Sequence, residues 1–272
     1  MFVLVLNLMV SFLSVVALGF FLGMRHATDP DHVIAVSTIV SRQANVRRAA
    51  LVGTFWGIGH TLTIFLVGTL IIVFDLVIPP RVGLSMELSV GLMLMILGIA
   101  NVRSFLRSMP SEVDAQGGLV HSHAHSHGDY IHSHTHGHSP EVHLHPQNTP
   151  VSWMDRAFGG SNLYQHLRPL AIGTVHGLAG SAAVALLVLA TIGNSRWAIA
   201  YLLVFGIGTI AGMMVITVSL ASTLRLFGRS QLFFRRLTLA SGVLSLGFGL
   251  LLAYQICIHS GLLTGMPRWT PQ

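Results

Sequence analysis

The sequence predicts an all-α, polytopic membrane protein. It has about six transmembrane helices set out as two inverted three-helix repeats, with the first helix broken in its middle. Three observations predict this. Of 272 residues, 52% are hydrophobic and only 9% charged, with a mean hydropathy of +0.70, whereas a soluble globular chain carries about 25% charged residues. Six apolar segments are long enough to cross a hydrocarbon core of roughly 30 Å. Short motifs also recur at an offset of about 150 positions. A soluble enzyme is excluded, because so few charged groups cannot cover its surface, and disorder of the whole chain is excluded for the converse reason.

The six segments run over Val10–Val40, Ala49–Phe74, Leu84–Val102, Leu167–Ile192, Trp197–Leu224 and Leu237–Ile258. The first is overlong and is interrupted by the polar octet Arg25-His26-Ala27-Thr28-Asp29-Pro30-Asp31-His32. Split in two, its second piece would be too short to span alone, so a single crossing made of two half-helices is expected. Local chemistry supports the break. Asp29 is a good N-cap and Pro30 suits the first helical position, so the chain can unwind after Gly23 and restart at Asp29. The alternative is an outside loop joining separate helices.

Orientation follows from arginine, since all 15 basic residues are Arg. Eleven flank the first span, the long central loop and the turn before the last span, whereas only Arg81, Arg196 and Arg268 lie on the other side. Positive charge collects in the cytoplasm, so both termini face outward and the central loop faces inward. The arginines form no patch between the apolar runs, and no nucleic-acid partner is expected. The apolar start, MFVLVLNLMV, lacks the positive region of a removed signal peptide. The organisation expected is an N-terminal transmembrane half at 1–103, a disordered His-rich cytoplasmic loop at 104–166 and a C-terminal transmembrane half at 167–272. The loop is rich in Gly, Ser, Pro and His and too poor in large apolar residues to offset ordering entropy.

The repeat aligns Gly23-Met24-Arg25-His26 with Gly173-Thr174-Val175-His176, and Gly57-Ile58-Gly59 with Gly206-Ile207-Gly208. Three spans per half force the copies to cross in opposite directions, a transporter plan in which broken helices meet near the midplane.

The octet carries the chemistry. Charged side chains at the centre of a span cost roughly 2.5–3.5 kcal/mol each on the lenient scale, so five ionisable groups would not persist there for packing. His26 and His32 offer imidazole nitrogen, and Asp29 and Asp31 offer carboxylate oxygen. Mixed N/O donors suit Ni(II), Co(II), Cu(II) or Zn(II), whereas Mg and Ca prefer oxygen alone. His60, between glycines and Thr61 in the second span, and His176, at the repeat position of His26, are further candidate ligands. Arg25 is the expected charge partner of Asp29 or Asp31. In the loop, His121, His123, His125, His127, His132, His134, His136 and His138 stand at alternate positions, able to chelate a borderline cation as neutral imidazoles. Glu87 and Asp75, near span ends, are expected to be solvated or to snorkel. No HExxH motif supports an intramembrane metalloprotease, and no P-loop supports ATP-driven export.

His26, Asp31 and His32 fit the His-x4-Asp-His signature of the nickel/cobalt permeases, and Gly59-His60-Thr61 resembles that family's next histidine motif. GMRHATDPDHVIAVSTIV, TFWGIGHTLTIFLVG and GTVHGLAGSAAVALLVLATI together look closer to the urease-accessory transmembrane proteins, short relatives of the permeases. An acidic LGxDTATE-like motif is absent, with His176 and its glycines standing roughly there. The resemblance implies a multi-pass cell-membrane carrier that takes up Ni2+ or Co2+ as substrate with no prosthetic group. It also implies a link to urease and to cytoplasmic nickel chaperones. The alternatives are an exporter with the His-rich loop as collector or sensor, a metalloenzyme, and a metal-storage protein.

Overall fold

The computed structural model describes residues 14, 16–41, 45–107, 121–127, 130–136, 166–179, 192, 194–227, 231–263 and 267–269. Among these, α1 (16–26), α2 (Pro30–Val40), α3 (Val46–Phe74), α4 (Pro80–Arg107), α5 (166–179), α6 (Ser195–Phe227) and α7 (Gln231–Tyr254) follow in order. The last runs on into a π-turn at Gln255–His259. Four stretches are long and apolar enough to cross a bilayer: Val46–Phe74, Pro80–Leu106, Ser195–Leu226 and Arg236–His259. The chain is a multi-pass membrane protein, and its described elements are helical apart from a two-stranded hairpin. The expected span Leu167–Ile192 is described only through residue 179, apart from residue 192. The start of the expected Val10–Val40 span lies mostly outside the described residues.

The chain interrupts its helix where the octet sits. α1 closes with Thr28 N on the Arg25 carbonyl at 2.8 Å and Asp29 N on the His26 carbonyl at 3.1 Å. Asp29 then takes the extended N-cap conformation and Pro30 opens α2. Pro costs nothing at that place, because the first N–H has no intrahelical acceptor in any case. The Asp29 side chain makes no capping bond; it is held elsewhere, as shown below. With 11 residues, α2 reaches only about 16 Å at 1.5 Å per residue, roughly half a hydrocarbon core. It is wedged among α4, α6 and α7, and Asn101 on α4 braces its end. The Asn101 amide donates to the Thr38 carbonyl at 3.0 Å and to Ser241 Oγ on α7 at 3.3 Å.

The long helices pair as α3 with α6 and α4 with α7. Glycine sets how closely they approach. A Cβ at Gly23 would collide with the Phe205 carbonyl, and one at Gly173 with the Trp56 carbonyl. Gly59 lies on the Leu170 carbonyl, and Gly208 on the Phe20 carbonyl. On the second pair, Gly98 meets the Gly242 carbonyl and the Leu246 nitrogen, while Gly249 meets the Gly91 carbonyl and the Met95 nitrogen. Each contact therefore has a counterpart displaced by about 150 positions in both partners. The helix starts match as well: Asn45 Oδ1 accepts from Arg47 N and Asn194 Oδ1 from Arg196 N, both at 3.0 Å.

Within the central segment, β1 (His121–His127) and β2 (Tyr130–His136) pair as an antiparallel hairpin. The His-x-His alternation has the period of a strand, and the Gly128-Asp129 between the strands has the composition of a tight hairpin loop. Glu87 is half-buried near the start of α4. Its carboxylate accepts from the Trp269 indole N–H at 2.8 Å, and Gly83 leaves room for that ring.

Candidate metal-binding site

Four elements converge where α1 breaks. His26 is the last residue of α1, His32 lies in the first turn of α2, His60 stands midway along α3 and His176 lies in α5. Glycine explains how the last two meet. Gly177 rests on the His60 backbone of α3, and Thr63 Oγ1 donates across to the Thr174 carbonyl at 3.1 Å. His32, His60 and His176 are buried to within 2% exposure. Asp29 and Asp31 supply the carboxylates. All six candidate ligands from the two halves of the chain therefore fall in one cluster.

The contacts are short. Asp31 accepts from His32 Nδ1 at 3.1 Å and, through its other oxygen, from His176 Nε2 at 3.1 Å. His176 Nε2 and His32 Nδ1 lie 3.3 Å apart, and His26 Nε2 lies 3.1 Å from His60 Nε2. Asp29 Oδ2 accepts from His26 Nδ1 at 2.8 Å, which leaves the Nε2 lone pair of that ring facing His60. This is how an imidazole is oriented for a metal: a carboxylate on one nitrogen fixes the tautomer and ring plane while the other nitrogen binds.

Donor separations suit a transition cation. Ligands about 2.1 Å from an ion and roughly 90–110° apart lie about 3.0–3.4 Å from one another, as the His26–His60 and His32–His176 nitrogens do at 3.1 and 3.3 Å. Two groups of three donors each fall within ligand reach: His26, His32 and His60, and Asp31, His32 and His176. Three ring nitrogens, His32 Nε2, His60 Nδ1 and His176 Nδ1, are buried without a hydrogen-bond partner. An unsatisfied buried group costs roughly 1–3 kcal/mol, so packing alone does not favour this crowd of imidazoles. Aromatic walls close the cluster. Phe205 lies against His26 with ring centroids 5.4 Å apart, and Trp56 against His176 at 5.8 Å.

Not every expected partnership forms. Arg25 is exposed, and among the described residues its guanidinium pairs with neither Asp29 nor Asp31; histidines take both carboxylates instead. Thr61 faces α6, donating to the Gly206 carbonyl at 3.1 Å. In the hairpin, His121, His123 and His125 stand opposite His136, His134 and His132, and His127 opposite Tyr130. His138 lies outside the described residues. Trp56, Phe205 and Thr63 were not singled out from the sequence, where they look like ordinary residues of an apolar helix.

Residues 12–257 match the family model NicO, described as high-affinity nickel-transport protein. The chain belongs to the NicO family. A urease accessory protein, UreH, from Bacillus sp. (strain TB-90) is 34% identical over 253 residues, covering 93% of this chain and 96% of that protein. A protein named, provisionally, a nickel/cobalt efflux system, from Methanocaldococcus jannaschii, is 34% identical over 105 residues, 38% of this chain and 49% of its own length. No solved structure matches the chain. This NicO protein is a membrane transporter of divalent metal ions of the nickel/cobalt class and not an enzyme. The ion is its substrate.

Proposed function

We propose that this NicO protein takes up nickel or cobalt across the cell membrane, with His26, Asp31, His32, His60 and His176 holding the dehydrated ion and Asp29 orienting His26. The single observation that carries this reading is the convergence of four imidazoles, three of them buried, with two carboxylates bonded to three of the rings, and three buried ring nitrogens having no hydrogen-bond partner. Nitrogen-rich mixed donors favour a borderline transition cation over Mg or Ca. Binding requires neutral imidazole, so it releases whatever proton a donor nitrogen carried.

Six spans in two inverted halves provide the machinery in this proposal, α1–α2 with α3 and α4 forming one half and α5 with α6 and α7 the other. Support comes from the reciprocal contacts. Gly23 on Phe205 repeats as Gly173 on Trp56, and Gly98 on Gly242 as Gly249 on Gly91. Such reciprocity is what a two-fold axis in the membrane plane produces, and rocking about it alternates access to a central site. An inside-negative potential draws a divalent cation inward by ~4.6 kcal/mol per 100 mV, from roughly 2.3 per charge, so uptake needs no nucleotide. The His-rich segment then collects the ion in the cytoplasm for nickel chaperones, and likeness to UreH points to urease as the destination.

Export is the second reading, favoured by the likeness to the archaeal protein whose name is an efflux system. Purified protein in sealed liposomes tests both. Radioactive nickel should accumulate inside when the lumen is negative and not in protein-free liposomes. Accumulation only under an outward proton or cation gradient would favour export.

A further inference from the structure

We infer that the cluster holds two overlapping ion stations that share His32, and that one ion passes between them during transport. This rests on the proposed transport reading and divides its site. The first station is Asp31, His32 and His176; the second is His26, His32 and His60. Their donors are separate apart from His32. Asp31 and His176 gather at His32 Nδ1, at 3.1 and 3.3 Å, while the Nε2 of the same ring is buried without a partner. His26 and His60 meet each other through their Nε2 atoms at 3.1 Å, and the second station completes with His32 within 4.8 Å of both. One imidazole with a nitrogen on each side can be gripped at one edge before it is released at the other.

The repeat supports this division independently. His26 and His176 occupy equivalent positions in the two halves, and each lies against an aromatic ring of the opposite half: His26 on Phe205 and His176 on Trp56. Those two aromatics stand at repeat-related positions, each with a glycine of the opposite half packed on its carbonyl, Gly23 on Phe205 and Gly173 on Trp56. The pseudo-symmetry therefore exchanges the histidine of one station with the histidine of the other. A carrier that swaps the conformations of its halves would swap the preferred station too. Simultaneous occupancy is disfavoured, since two divalent ions so close in a weakly screening interior repel strongly. His32, Asp29 and Asp31 come from one half only, so the stations differ in chemistry: one contains a carboxylate ligand, the other imidazole alone.

The test uses the full-length purified protein with Co2+ as optical probe, together with nickel uptake by the same preparations in liposomes. His60→Ala removes a donor from the second station and His176→Ala from the first; His60→Gln and His176→Gln serve where the alanine forms elute as aggregates. Each single variant should still bind one Co2+, about tenfold or more weakly, with two different ligand-field spectra. The unmodified protein should show a mixture of both, and neither single variant should transport. The double variant should bind none. Identical spectra from the two single variants, or normal uptake by either, would overturn the stations while leaving transport intact. No uptake and no Co2+ binding by the unmodified protein would overturn the transport reading and the stations with it.

Discussion

At the scale of the residue, His32 is the side chain on which the cluster depends, because it is 2% exposed and lies within ligand reach of both donor groups. His32→Ala should abolish nickel accumulation in liposomes while membrane insertion is retained; uptake at the unmodified rate would remove His32 from the site. Asp29 acts through another residue. Its carboxylate holds His26 Nδ1 at 2.8 Å, so Asp29→Asn should weaken nickel binding by about 10–100-fold, measured by calorimetry on the purified protein, without removing a ligand. The residues that gather in the cluster could be read in the sequence, since ionisable groups in an apolar run have few other reasons to be there. Their partnerships could not. Asp29 has the composition and place of an N-cap, yet its side chain reaches back three positions to His26 and leaves the helix uncapped. Arg25 is the nearest opposite charge in sequence, but at the end of α1 it is exposed while the histidines reach the carboxylates. Which of two suitors wins a carboxylate depends on helix-end geometry that spacing alone does not specify.

At the scale of the element, the break between α1 and α2 was legible because Pro30 and the octet leave no continuous helix, whereas the exact helix ends, such as α4 extending to Arg107, were not. Contacts between elements distant in sequence were legible only as glycines with no evident task. They now make a paired prediction. A Cβ at Gly173 would strike the Trp56 carbonyl, whereas nothing lies within 4 Å of one at Gly247. Gly173→Ala should lower the melting temperature of the purified protein and its yield from membranes. Gly247→Ala should leave both unchanged or raise them, as the Gly-to-Ala exchange in a helix is worth up to about 1 kcal/mol. Equal effects would mean that close helix approach is not what these glycines provide. Asn101 makes the second prediction at this scale. Asn101→Leu removes the amide from the Thr38 carbonyl and Ser241, which keep their bonds with Ser41 and Thr238, at a cost of about 0.5–1.5 kcal/mol per lost bond, and loosens α2. Nickel affinity should fall along with thermal stability, although Asn101 itself contributes no ligand.

At the scale of the whole molecule, the membrane class follows from composition alone, and the hairpin in the His-rich segment was missed because low complexity obscured the strand period of its histidines. The segment lies apart in sequence from the six residues that meet in the cluster. Removing Ser111–Pro150 should therefore preserve nickel flux into liposomes; loss of all flux would make the segment part of the carrier. Transport direction and the buried cluster come together in one experiment, nickel uptake by liposomes carrying either the unmodified protein or His32→Ala, with and without an imposed lumen-negative potential. Uptake by the unmodified protein should rise with the potential and vanish in the variant. Uptake that ignores the potential, or that survives the loss of His32, would contradict inward carriage through this cluster.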